Sequence, residues 1–261
     1  MNRYARIIED IFVSHYSEGA SEIAFEREEI VRCAKKLHIK LPKNLGDLIY
    51  SFRYRVALPE SVRAKAAEGK EWVILPAGPA RYRFVLKTLA KITPNEMLAE
   101  ARVPDSTPGI IGIYALNDEQ ALLAKLRYSR LVDIFTGVTC YSLQSHLRTT
   151  VPGLGQVEAD EIYIGLDRRG VHYVFPIQAK GGSDLLSTVQ IEQDFAMCAS
   201  KFQSLICRPV AAQFIADDLI ALFEFEKSDE GIAVSLEKHY RLVPGEDVTS
   251  SDLEAYRERP S

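Results

Sequence analysis

The chain has 261 residues, of which 47% are hydrophobic and 26% are charged. This composition is typical of a folded globular protein and excludes wholesale disorder. No apolar run reaches the ~18–20 uncharged residues that a membrane-spanning helix requires, and the first residues lack the pattern of a signal peptide. The four cysteines form no C-x-x-C pair, which favours buried thiols over a zinc site or disulfides. We therefore expect a cytoplasmic protein with no membrane partner.

Charge is unevenly distributed along the chain, although the net charge is only −4. The first 100 residues carry 17 Lys or Arg against 13 Asp or Glu, whereas the remainder carries 15 against 23. A basic front half and an acidic back half indicate two modules with different partners. Chance clustering of charged residues would give the same asymmetry.

Residues 1–92 are predicted to form a winged-helix-like domain. Apolar residues at helical spacing and alternating apolar runs give the order helix, strand, helix, turn, helix and β-ribbon, which is that of a winged helix. Asn44 is suited to the N-cap of the third helix. The predicted elements are helices at 3–16, 26–37 and 44–54 and strands at 22–25, 71–75 and 81–86.

The third helix and the β-ribbon of this domain carry the residues expected to contact DNA. In a helix-turn-helix, the second helix of the pair enters the major groove and flanking cations meet phosphates. A small helical domain that mediates dimer contacts is the alternative, because winged helices also serve in protein interactions. The candidate DNA-binding residues are Lys40, Lys43, Asn44, Arg53, Arg55, Arg81 and Arg83.

A second domain is predicted at 110–243, after a proline-containing connection at 93–109 and before a polar tail at 244–261. Its element order is α-β-β-β-α-β, which predicts a mixed sheet flanked by helices and an α/β fold class. Two more strands are expected between residues 219 and 242. The predicted elements are helices at 117–137 and 187–205 and strands at 139–147, 157–165, 172–180 and 210–215.

Polar residues suited to a metal site lie in the second and third strands of that domain. Alternate residues of a strand share a face, so Glu158 lies with Asp160 and Gln178 lies with Lys180. Pairing of the two strands brings a carboxylate, an amide oxygen and an ammonium together. A carboxylate and a neutral oxygen can hold Mg²⁺, which activates water for attack on a phosphodiester, and a lysine can meet the developing charge.

Asp160, followed after 17 residues by Gln178-Ala179-Lys180, resembles the motif of the PD-(D/E)XK nuclease superfamily. The restriction-endonuclease-like core of that family also has the order α-β-β-β-α-β. The resemblance implies that Asp160 binds Mg²⁺ or Mn²⁺ and that Lys180 is catalytic. Gln178 falls where the family usually has Glu or Asp, and would be the second metal ligand. Glu119 would fall on an acid in the helix before the sheet, and Gln190 on a polar residue that some members direct at the site.

Each of these residues also has a structural interpretation. Asp160 and Lys180 could be solvated strand residues, Glu119 could serve the helix dipole, and Gln190 could be a surface residue. Function is favoured at Asp160 because carboxylates on both faces of an apolar strand are costly without a purpose. His146 shows no metal-ligand spacing and is predicted to be structural.

The sequence thus predicts a Mg²⁺-dependent DNA endonuclease of the site-specific restriction or genome-defence type. Residues 1–92 would read double-stranded DNA and residues 110–243 would cut it. Cutting both strands usually needs two active sites, so a homodimer is expected, and a cognate DNA methyltransferase could accompany it. The alternatives are a non-catalytic DNA-binding regulator with a decayed nuclease-like core, and an RNA endonuclease of the same fold.

Overall fold

The chain divides into two compact units, one of residues 1–90 with 150–156 and one of residues 91–149 with 157–261. Within the described residues, no helix is long and apolar enough to cross a bilayer.

Arg55, one of the candidate DNA-binding residues, lies outside the described part of the chain. The computed structural model describes residues 3–54, 56–87, 92–115, 118–181, 186–228 and 231–258.

The first unit packs helices against a three-stranded antiparallel sheet of order β1-β3-β2. Its core is aromatic at the centre, where the rings of Trp72 and Phe84 each meet the ring of Phe12 edge to face with centroids 5.1 Å apart. The helices and strands predicted from the sequence lie where they were expected. The elements are α1 (Ala5–His15), β1 (Glu22–Glu26), α2 (Arg27–Lys36), α3 (Leu45–Tyr54), α4 (Glu60–Arg63), β2 (Glu71–Pro76) and β3 (Arg81–Lys87).

The second unit is built on a mixed sheet of eight strands with the order β4-β11-β10-β9-β7-β6-β5, in which β8 also pairs with β7. β7 runs parallel to β8 and β9, and β4 runs parallel to β11, whereas β6–β7, β9–β10 and β10–β11 are antiparallel. The predicted mixed α/β class is therefore confirmed. The strands are β4 (Glu100–Pro104), β5 (Thr139–Val151), β6 (Gly155–Leu166), β7 (His172–Lys180), β8 (Ile206–Cys207), β9 (Val210–Ala216), β10 (Leu219–Ser228) and β11 (Gly231–Val243).

Helices flank this sheet and place polar residues at one region of it. α6 buries Leu122 and Leu126 against Phe175 and Ile177 of β7, which fixes the first turn of α6 near the sheet. α8 connects the parallel strands β7 and β9, and its first turn is capped by the hydroxyl of Ser187. The helices are α5 (Gly109–Tyr114), α6 (Asp118–Tyr128), α7 (Leu131–Thr136), α8 (Thr188–Lys201), α9 (Ser250–Arg257) and a short 3₁₀ helix (Gly245–Asp247).

Two segments contain regular structure that the sequence did not indicate. The predicted connection at 93–109 includes β4, which is held to β11 by an ion pair between Glu100 and Arg241 at 2.7 Å. The predicted tail at 244–261 includes α9, which begins with a capping box between Thr249 and Asp252. A five-residue strand that pairs with residues about 140 positions away leaves no local pattern to read.

Candidate active site

The site forms where the pairing between β6 and β7 stops. Their antiparallel register runs from the pair Leu166–His172 to the pair Glu161–Ile177, so continued pairing would set Asp160 opposite Gln178. Instead, the backbone N–H of Ala179 donates to Oδ2 of Asp160 at 2.8 Å. The Asp160 carboxylate thus occupies the hydrogen-bonding position that a backbone carbonyl would otherwise take.

Glu119 and His146 lie beside this carboxylate. A carboxylate oxygen of Glu119, a ring nitrogen of His146 and a carboxylate oxygen of Asp160 lie within 4.8 Å of one another. Glu119 comes from the first turn of α6, as predicted. His146 comes from β5 and was predicted to be structural, because nothing in its spacing along the chain connects it with Asp160. Its φ of 49° is a left-handed conformation that is uncommon for a residue other than glycine.

The positive charge around Asp160 is too small to offset the burial of its carboxylate and the repulsion from neighbouring acids. Burial raises its pKa to about 6, the Ala179 N–H and Lys180 lower it, and Glu119 and Glu158 raise it again. A divalent cation between Glu119 and Asp160 would offset both the desolvation and the repulsion of the carboxylates. Two carboxylates and an imidazole are donors that divalent cations accept, so these residues fit such an ion.

Gln178 lies inside the unit, with only 1% of its surface exposed. Its Nε2 donates to the two carboxylate oxygens of Asp194 at 3.1 and 3.0 Å and to the carbonyl of Glu158 at 3.3 Å. Its Oε1 accepts from Nε2 of Gln190 at 3.3 Å. Gln178 and Gln190, both proposed from the sequence, are therefore in contact.

Asp194 is the buried acid of this group, and the sequence did not identify it. It lies on α8 with 1% of its surface exposed, and burial raises its pKa well above the usual value. The available signal was its position in the apolar stripe of the predicted helix, between Ile191 and Phe195. An acid in such a stripe indicates a buried polar partner.

Lys180 lies at the end of β7 and is half-buried. Its charge lowers the pKa of both Asp160 and Asp194, so it lies within electrostatic reach of both carboxylates. The structure therefore gathers Asp160, Gln178, Lys180, Glu119 and Gln190 into one region.

The other two carboxylates of β6 have partners of their own. Glu158 forms an ion pair with Arg148 at 2.9 Å. Glu161, on the opposite face, is fully buried and pairs with Arg127 at 2.6 Å, and it also accepts a hydrogen bond from the hydroxyl of Ser142. Arginine therefore neutralises both, which sets them apart from Asp160.

The candidate DNA-binding residues of the first unit differ in how accessible their charges are. Arg53 is half-buried, and Arg83 forms an ion pair with Glu22 at 3.0 Å. Asn44 caps α3, as predicted, by accepting from the N–H of Gly46 at 3.0 Å. Among the members of the set that the structure describes, the exposed cations are Lys40, Lys43 and Arg81.

The second unit thus holds a cluster of carboxylates, an imidazole, an ammonium and two amides at the diverging ends of β6 and β7. Comparison of the chain with protein-family models, with curated proteins and with solved structures found no match. A function for this cluster therefore has to be argued from its own chemistry.

Proposed function

We propose that the chain is a Mg²⁺- or Mn²⁺-dependent endodeoxyribonuclease with a restriction-endonuclease-like core. The observation that carries the proposal is the position of Asp160. A carboxylate oxygen of this residue lies within 4.8 Å of a possible ligand atom of Glu119 and of His146, and the charge of Lys180 lowers its pKa. Hydrolysis of a phosphodiester needs a cation, an activated water and a positive group near the phosphate, and this site can supply all three.

Asp160 and Glu119 would hold the metal ion through oxygen atoms, and His146 through a ring nitrogen. Magnesium prefers oxygen ligands, whereas imidazole binds first-row transition metals well. The set is therefore better suited to Mn²⁺ than to Mg²⁺. A bound ion would lower the pKa of water and offset negative charge on the phosphate.

Lys180 would act on the phosphate. Its compact ammonium can orient the attacking water or meet the charge that develops on the phosphoryl oxygens. Among the residues that the structure describes, none forms an ion pair with Lys180 within hydrogen-bond distance. Gln178 and Gln190 line the same region.

The first unit would bind double-stranded DNA as a winged-helix-like reader. The exposed residues Lys40, Lys43 and Arg81 would meet phosphates. The proposal includes a homodimer, because a duplex has two strands to cut, and a cognate methyltransferase that would protect the same sites in the cytoplasm.

One observation favours a second function, a DNA-binding regulator without catalysis. Gln178 stands where nucleases of this type usually have an acid, and both of its polar side-chain atoms are hydrogen-bonded inside the protein. In a regulator, this amide network would stabilise the fold, and no metal would be needed for DNA binding.

Cleavage of plasmid and phage DNA by the purified full chain tests the proposal. The protein should cut in Mn²⁺ and Mg²⁺ and not in EDTA, Asp160→Asn should be inactive, and Lys180→Ala should cut much more slowly than wild type. Lys201→Ala and Asp217→Asn change exposed residues of the same unit and serve as controls. Metal-independent DNA binding without cleavage by the wild type would support the regulator, and cleavage of structured RNA alone would identify a ribonuclease.

A further inference from the structure

Building on the proposed function, we infer that Asp194 is a positioning residue that orients the side-chain amide of Gln178. It holds Nε2 against its own carboxylate, so that Oε1, which accepts from Gln190, is the atom of Gln178 left to bind a metal ion. Asp194 itself is not a metal ligand in this scheme, because both of its carboxylate oxygens accept from Gln178.

The orientation of the amide follows from its neighbours. The carbonyl of Glu158 can only accept a hydrogen bond, and the nearby carboxylate of Asp194 offers two further acceptors. On the other side, Gln190 supplies a donor at 3.3 Å. The two acceptor-only neighbours, Glu158 and Asp194, fix the amide of Gln178 with its nitrogen toward them and its oxygen toward Gln190.

Reversing the amide would be costly. Its oxygen would then face the carbonyl of Glu158 and the carboxylate of Asp194, neither of which can donate a hydrogen bond. Asp194 would lose the donor that the structure shows, and a buried acid without a partner is strongly unfavourable. Asp194 therefore selects which atom of Gln178 can act in the site.

The same contact explains why the strand carries an amide. A glutamate at position 178 would set two buried carboxylates against each other, about 3 Å apart, and one of them would have to hold a proton. An amide that donates inward to Asp194 still offers an oxygen outward. Gln178 and Asp194 are thus matched to each other.

The decisive test is a comparison of Asp194→Asn in two backgrounds. An amide must be oriented to offer its oxygen, whereas a carboxylate offers oxygen in either orientation. Asp194→Asn should therefore weaken Mn²⁺ binding in the wild-type chain by about 10–100-fold, the usual effect of removing a group that orients a metal ligand. In the Gln178→Glu background, Asp194→Asn should not weaken Mn²⁺ binding, because the substitution removes the Asp194 carboxylate that would oppose the new acid at position 178. A double-mutant cycle measures this difference directly.

Mn²⁺ affinity is measured by calorimetry on the full chain without DNA, with Glu192→Gln as a matched control on the same helix. Equal losses of affinity in both backgrounds, or no loss in either, would overturn the inference. The side-chain NH₂ signals of Gln178 in an amide NMR spectrum give a second readout that needs no metal. They should shift in Asp194→Asn and not in Glu192→Gln, and unmoved signals would also overturn the inference. If the wild-type protein binds no Mn²⁺ but the NH₂ signals of Gln178 do shift in Asp194→Asn, only the proposed metal-dependent function is overturned.

Discussion

Asp160→Asn should stabilise the folded protein at neutral pH while it abolishes cleavage. Asp160 has a pKa raised from 3.8 to about 6, mainly by burial. The native state thus holds the proton more tightly than the unfolded chain does, and the free energy of unfolding falls as pH rises from about 4 to about 6. Asparagine removes the charge, and its oxygen can still accept from the N–H of Ala179.

The size of the effect follows from the two pKa values. The difference between 3.8 and about 6 corresponds to about 3 kcal/mol at pH 7.5, where the carboxylate is ionised in both states. At pH 5 the same linkage gives about 1.6 kcal/mol. The stability advantage of Asp160→Asn over wild type should therefore grow by about 1.4 kcal/mol between pH 5 and pH 7.5.

Urea unfolding at the two pH values, in EDTA, measures this change. Circular dichroism follows the whole chain, and the fluorescence of Trp72, the single tryptophan, follows the first unit separately. Asp217→Asn, which changes an exposed acid of the second unit, is the control. An advantage that is absent, or that is equal at pH 5 and pH 7.5, would refute the electrostatic account of Asp160. Mn²⁺ should raise the stability of wild type at pH 7.5 and not that of Asp160→Asn.

Three further predictions concern single residues. Lys180→Ala should lower the single-turnover cleavage rate by about 10²–10³-fold, and a rate within a few-fold of wild type and of Lys201→Ala would exclude a catalytic role. His146→Ala should weaken Mn²⁺ binding more than Mg²⁺ binding, because Mn²⁺ gains more from a nitrogen ligand; calorimetry with both ions decides this. Arg81→Ala should weaken DNA binding and reduce the slope of log affinity against log salt by about 1, whereas Arg83→Ala, which removes a charge already paired with Glu22, should change the slope less.

Most elements of both units, though not β4 or α9, could be predicted because their signals are local. Helical and alternating apolar spacing identified α1, α3 and β5 to β7 within a few residues. Strand alternation also placed Gln178 and Lys180 on one face, since that geometry depends only on sequence separation.

The residues of the site that the sequence did not predict are brought there by contacts that cannot be inferred from sequence separation. His146 reaches Asp160 only because β5 lies next to β6 in the sheet. Asp194 reaches Gln178 because α8 returns over β7. The same contact bears on Gln178→Glu: the substitution would place an acid where the resembled family usually has one, but the buried carboxylate of Asp194 makes an acid at this position unfavourable.

The ion pair between Glu161 and Arg127 has a consequence for the order of assembly. β6 places two acids next to each other on opposite faces, and the chain neutralises the inner acid with its own guanidinium. The sheet around that strand also buries a continuous apolar cluster that includes Leu122, Phe175 and Ile220. The core of this unit is thus built from the chain's own side chains, whereas small metal domains unfold when the metal is removed. Under the proposed function, a metal ion would bind at Asp160 of an already folded protein and could leave again without unfolding it, so metal supply would regulate cleavage and not the amount of protein.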